Sequence, residues 1–268
     1  MTRRSEGLPA WLVAVAGVGL LVVGLPVLAL VVRADWGHLG ADLVSSGTWT
    51  ALRLSLVTAA PATVACVLLG VPLAQVIARG RGPVAGVLRA IVLIPLVLPP
   101  LVGGLALLLL LGRHGLLGGP IATATGVALP FTTAAVVVAQ TFVALPFLVI
   151  TVEGALRGLD PGYARAAASL GAGPSRVFWT VTLPQVAPAL RAGVVLSFAR
   201  ALGEFGATAL FAGNLPGTTQ TMPLAIYAAF NGTGVSQGAA TALALVLVAC
   251  SVVLLVASGQ LGARAGRR

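Results

Sequence analysis

Six stretches of this chain, residues 8–32, 49–78, 89–111, 131–152, 193–212 and 239–258, are apolar over lengths that no small soluble core requires. About 20 apolar residues cross a hydrocarbon layer of about 30 Å. Inside lipid every backbone N–H and C=O must be bonded internally, which leaves helices as the way for such runs to cross. With 58% hydrophobic and 8% charged residues, the 268-residue chain is expected to be an all-α membrane protein with six transmembrane helices. Lipid gives no hydrophobic drive between helices, so its 34 glycines point to packing by close backbone approach. Gly103 and Gly104 in the third run are expected to serve that purpose. Pro26, Pro61, Pro72, Pro95, Pro99, Pro100 and Pro146 fall in or near the runs, so bent helices are expected.

Arginine placement orients the bundle. Arg3 and Arg4 precede the first run, Arg79, Arg81 and Arg89 lie between the second and third, Arg157, Arg165, Arg176 and Arg191 between the fourth and fifth, and Arg264, Arg267 and Arg268 close the chain. Six spans put all these segments on one side, against Arg33, Arg53 and Arg113 on the other, so both termini are expected in the cytoplasm. The net charge of +10 is then a topology signal. Scattered over short loops without an aromatic platform, it argues against nucleic acid as a partner. Membrane lipid is the surrounding one. The first run exceeds the 7 to 15 residues of a secretory h-region, no small-residue cleavage site follows, and it is expected to stay as a span. The chain then divides into a helix and outer loop over 1–48, a core over 49–258 with a loop region at 153–191, and a basic tail over 259–268.

The chain has no lysine; all sixteen of its cationic side chains are arginine. A P-loop needs a lysine on the β and γ phosphates, so any work driven by ATP needs a nucleotide site on another polypeptide. Cys66 and Cys250 lie in spans without CxxC spacing and read as packing residues. His38 and His114 are distant single residues, suited to solvated or capping roles rather than to a metal site. No set of nucleophile, base and orienter is visible, so no catalytic residue, cofactor or metal is assigned. A membrane-embedded enzyme using Glu204, Arg200 or His114 is the rival from another class.

One polar stretch interrupts this pattern between the fourth and fifth runs, RAAASLGAGPSRVFWTVTLP over residues 165–184. Leu156, Leu159, Tyr163, Ala166, Ala167 and Leu170 recur at helical spacing and give one apolar face. Asp160 and Pro161 read as N-cap and first helical residue, and Gly171 as the left-handed residue that ends the helix. After Gly171, Ala172 and Gly173 a second helix is expected at Pro174, turning Val177, Phe178 and Val181 toward the bundle. The stretch resembles the EAA loop of bacterial ABC importer permeases. Ala166, Ala167, Gly171, Leu183 and Pro184 match that pattern, Val181 is conservative, and Arg165 stands where the pattern has glutamate.

The segments LIPLVLPPLVGGLALLLLLGRHGLLG at 93–118 and ARALGEFGATALFAGNLPGTTQTMPLAIY at 199–227 are similar to the molybdate permeases of that family, close to the sulfate and thiosulfate permeases. The resemblance implies a type I importer permease in the bacterial cytoplasmic membrane. It implies a homodimer whose EAA-type coupling helices dock on a cytoplasmic ABC ATPase dimer. An extracytoplasmic oxyanion-binding protein would deliver molybdate, or tungstate, for alternating access. A sulfate or thiosulfate importer is the nearest alternative.

Arg200 and Glu204 are four residues apart, the spacing at which opposite charges meet on a helix. Counted at 1.5 Å per residue from Arg191, they lie roughly 13 and 20 Å deep, where charge is costly. They are either a mutually neutralising pair or, with Thr208, part of an anion pathway. Asn214, Pro216, Thr218, Thr219 and Gln220 form a polar turn beyond the fifth run, a solvated connection or a surface near the outer mouth of the pathway.

Overall fold

A computed structural model describes residues 9–80 and 82–265. Arg3, Arg4, Arg81, Arg267 and Arg268, with Leu8 at the start of the first run, lie outside the described residues. Helices appear in the order α1 (Ala10–Val32), α2 (Leu39–Val44), α3 (Ser46–Arg79), α4 (Pro83–Val97), α5 (Pro100–Leu111), α6 (Gly118–Thr125) and α7 (Thr133–Arg157). They continue with α8 (Pro161–Ser169), α9 (Pro174–Val177), α10 (Leu183–Leu202), α11 (Gly206–Phe211), α12 (Met222–Phe230) and α13 (Gln237–Ala265), and a five-residue π segment, Phe178–Thr182, joins α9 to α10. Among the described residues five helices are long and apolar enough to cross a membrane, and a sixth span is made if the bent pair α4 and α5 counts as one. The chain is a multi-pass membrane protein.

The centre is α3 against α7, with α10 and α13 packed around them. Small residues make that approach possible: Ala51, Ala59, Ala62, Cys66 and Ala74 of α3 are buried with Ala144, Leu148, Val149 and Val152 of α7. At Gly70 a Cβ would come within 2.6 Å of the Leu148 side chain, so this glycine is there for space. The helix α1 presents no buried residue and packs on the bundle chiefly at α13.

Two expected spans are corrected. The third is not one helix: Pro99 and Pro100 lack the N–H groups needed to continue α4, and α5 departs at 115°. The fifth does not run over 193–212. Its helix covers Pro174–Leu202 with the π segment included, so Arg191 lies within it rather than at its entrance. Pro174 and Pro184 stand at helix starts, where a missing N–H does no harm, and the π geometry absorbs the join. The stretch expected to complete that span is instead a break at Gly203 to Phe205 and the short α11.

Candidate functional site: a helical loop and two buried carboxylates

The loop between α7 and α10 is built as its residues dictate. Asp160 caps α8, its Oδ1 accepting from the Gly162 N–H at 2.7 Å, and Pro161 holds the first helical position. At the other end Gly171 has φ of +83°, the Ala172 N–H donates to the Ala167 carbonyl and the Gly171 N–H to that of Ala168. That is a Schellman closure. Arg165, Ala166 and Gly173 are exposed and Ala167 and Ala172 half-buried, while Leu183 is half-buried and Pro184 exposed. Tyr163 and Leu170 are exposed at 63% and 89%, so the apolar side of α8 is not folded onto the bundle. Behind α8 a cavity of about 170 Å³ is lined by Gln75, Arg79, Leu156, Asp160 and Thr182 among others, so the loop meets α3 and α7 at its base.

Deeper in the bundle, Glu204 is 1% exposed and its Oε2 accepts from Arg200 Nη2 at 2.7 Å. The pair expected from sequence is formed, although Glu204 lies beyond the end of α10. Its other oxygen accepts from the Ala207 N–H at 2.7 Å, so the carboxylate closes the break between α10 and α11. Arg200 also lines a cavity of about 150 Å³ in the crook of the α4–α5 bend, with Pro95, Pro99, Pro100, Phe142 and Phe147. Thr208, one turn beyond Glu204, is fully buried, and its hydroxyl has no hydrogen-bond partner. Gly104 lets α5 reach α11, since a Cβ there would stand 2.8 Å from the Ala207 carbonyl oxygen.

Asn214 does not join this group. Exposed, it accepts from Gln220 Nε2 at 3.0 Å. Its turn is only partly the solvated connection expected: Thr219, Gln220 and Thr221 fold inward and are buried, and the Met222 N–H that follows donates to Ser55 Oγ of α3 at 2.7 Å. His38 Nδ1 and Asp35 Oδ2 are hydrogen-bonded at 2.9 Å on the surface, and that bond holds the Asp35 carboxyl below its ordinary value.

Sequence reasoning missed a second buried carboxylate. Glu153, 2% exposed on the last turns of α7, has Oε1 at 2.8 Å from Arg157 Nε, close enough for charge attraction but without an aligned hydrogen bond, and Oε2 at 3.5 Å from Arg89 Nε of α4. The four-residue spacing to Arg157 was a visible signal. The partner 64 residues earlier, Arg89, had none.

Residues 66–267 match the model of the binding-protein-dependent transport system inner membrane component. The chain belongs to that family. Among the relatives of this permease, the molybdenum transport system permease protein ModB of Mycobacterium tuberculosis is 50% identical over 92% of this chain and 93% of its own length. The protein of that name from Escherichia coli K12 is 37% identical over 84% of this chain and 100% of its own length. The sulfate transport system permease protein CysT of E. coli K12 is 35% identical over 92% of this chain and 90% of its own. The fold is shared with a solved bacterial ABC transporter that imports alginate, with TM-score 0.69 at 16% identity and 96% of both chains covered. It is shared also with the MetNI methionine ABC transporter, with TM-score 0.58 at 19% identity over 82% of this chain and 94% of that one. The expected importer-permease fold and the resemblance to the molybdate and sulfate permeases are borne out by these matches.

Proposed function

We propose that this permease forms the membrane pathway of an ATP-driven molybdate importer, as a homodimer in the bacterial cytoplasmic membrane. The observation that carries the substrate is the 50% identity, over nearly the full length of both chains, to a permease named for molybdenum transport. The core over 49–258 forms the path, both termini face the cytoplasm, and the basic tail over 259–268 lies there as well.

In this reading α8 is the coupling helix, and its exposed Tyr163 and Leu170 enter a cleft on a partner ABC ATPase dimer. Ala166, Ala167, Gly171, Ala172 and Gly173 keep the approach close, and Leu183 and Pro184 start the helix that carries motion inward. Arg165, in the place of the usual acid, seeks an acceptor on the ATPase or lipid headgroups. ATP is hydrolysed by that partner, since a chain without lysine has no P-loop. An oxyanion-binding protein docks on the opposite face, where the Asn214 turn is exposed. Arg200 and Glu204 neutralise each other, and Arg200 lines the cavity at the bend on the anion's route, with Thr208 buried one turn beyond Glu204.

Purified permease in liposomes should hydrolyse no ATP alone. With its ATPase and binding protein it should take up molybdate, and excess sulfate should compete poorly. Robust hydrolysis by the rigorously pure chain would overturn the assignment. Preferential sulfate uptake would move it to the sulfate permeases.

A further inference from the structure

We infer that Arg89 and Glu153 form the link through which movement of the coupling loop reaches the broken helix pair α4–α5. The inference rests on the reading of this chain as an ATP-driven importer, and it makes Glu153 a positioning residue for transport.

The geometry begins at the loop. Only Gly158, Leu159 and Asp160 separate the end of α7 from the start of α8, so a displacement of α8 acts first on the last turn of α7. Glu153 sits one turn back from that end, buried, between Arg157 of its own helix and Arg89 of α4. Ala85 is the one fully buried residue of α4, while Leu88 and Val92 pack half-buried against the core. Such apolar packing is non-directional and does not by itself lock α4 to one position on its neighbours. An ion pair to a buried carboxylate supplies that lock, because a carboxylate out of water cannot cheaply exchange its partner for solvent.

The far end of the same unit is held differently. Beyond the proline break, α5 packs so closely on α11 that Gly104 has the Ala207 backbone within 3 Å of where its Cβ would be. The pair α4–α5 is therefore tied by charge at the end near the coupling loop and by close backbone contact at the end near Glu204. A shift of the α7 terminus pulls Arg89, pivots α4 on Pro99 and Pro100, and loads the α5–α11 contact. Closed cores move between discrete packings rather than deforming smoothly, which lets a small displacement carry across.

Charge neutralisation alone does not require Arg89. Arg157 is closer to Glu153, at 2.8 Å against 3.5 Å, and lies on the same helix at the favourable spacing. The two arginines are exposed to nearly the same extent, 48% and 49%, so they form a matched pair for a test. If Glu153 merely needs a cation, losing Arg157 should harm the protein at least as much as losing Arg89. If the link between helices matters, only the loss of Arg89 should separate ATP hydrolysis from transport.

The experiment uses the whole transporter, permease with ATPase and binding protein in proteoliposomes, and measures ATP hydrolysed per molybdate taken up. Arg89→Ala is expected to raise that ratio at least tenfold while hydrolysis continues. Arg89→Lys, which keeps the charge, should restore most of the coupling, and Arg157→Ala should stay within about twofold of wild type. Should Arg89→Ala fail to assemble, Arg89→Gln, which keeps a donor without the charge, takes its place with the same tenfold expectation. Equal or greater uncoupling in Arg157→Ala, or a wild-type ratio in Arg89→Ala, would overturn the link. A wild-type complex that hydrolyses ATP and moves no oxyanion would instead overturn the importer reading beneath it.

Discussion

Glu153 and Glu204 are the two buried acidic side chains among the described residues, and each has an arginine four positions away. They are built in opposite senses. Glu153 precedes Arg157 on an intact helix, and its further partner is an arginine from a different helix. Glu204 follows Arg200 across the end of a helix, and its further partner is the backbone N–H of Ala207. The first carboxylate therefore joins two elements, whereas the second closes a break within one. The same pair of residue types at the same spacing takes its role from the third group present.

The difference in burial of the partner arginines makes the deeper site the more costly to disturb. Arg200 is 28% exposed, against nearly half for Arg89 and Arg157. Arg200→Ala strands a buried carboxylate, and breaking such a pair by removing one partner costs about 3–5 kcal/mol. A large fall in melting temperature or in expression is expected. The double variant Arg200→Gln with Glu204→Gln should recover folding and near-normal molybdate uptake, because neither charge is then left alone. A well-folded double variant with uptake near zero would break the comparison, placing Arg200 on the anion's path through the cavity it lines.

Glu153→Gln should cost less, about 1 kcal/mol, since its two arginines already reach water with part of their length and can turn outward. Parallel thermal melts of Glu153→Gln and Arg200→Ala check the ordering. If Glu153→Gln proves the more damaging, the loop-end cluster is as dry as the inner one and the contrast fails.

A third variant tests the close contact on which the deeper site depends. Gly104→Leu drives a side chain into the backbone of α11 at Ala207, next to the N–H that holds Glu204. Overpacking of this kind costs about 1–3 kcal/mol. The melting temperature should fall, with further loss when combined with Arg200→Ala that is less than additive, as expected for neighbours sharing one structural feature. Additive losses would separate the glycine contact from the carboxylate.

What could be read from the chain was what is local. Asp160, Pro161 and Gly171 fix α8 by backbone chemistry within their own turns, and all three act as their types require. The Arg200–Glu204 pair needed only a count of four. The α4–α5 break was signalled by adjacent Pro99 and Pro100, yet prolines are tolerated in membrane helices and the dipeptide alone does not set an angle. The fifth span was misplaced because Ser175, Arg176, Thr180, Thr182 and Gln185 look like loop residues. A helix that projects past the apolar layer carries polar residues without ending. Arg89 with Glu153 was out of reach, being a tertiary pairing with no periodic trace.

The mildest change to the bundle is at Gly171, which touches neither carboxylate. Nothing lies within 4 Å of where its Cβ would be, so a substitution there meets no neighbour and acts only through φ of +83°. Valine, β-branched, resists that left-handed conformation, and the cost falls on the turn that follows α8. Since α8 itself has no buried residue, the strain has no packed core to disrupt. Gly171→Val should leave the permease inserted, with a melting temperature close to wild type and both ion pairs formed. It should, however, misalign the exposed face of α8 and abolish ATPase pull-down and uptake, while Gly171→Asn, which tolerates the left-handed region, keeps both. Wild-type pull-down and uptake in the valine variant would show that α8 is not the docking element.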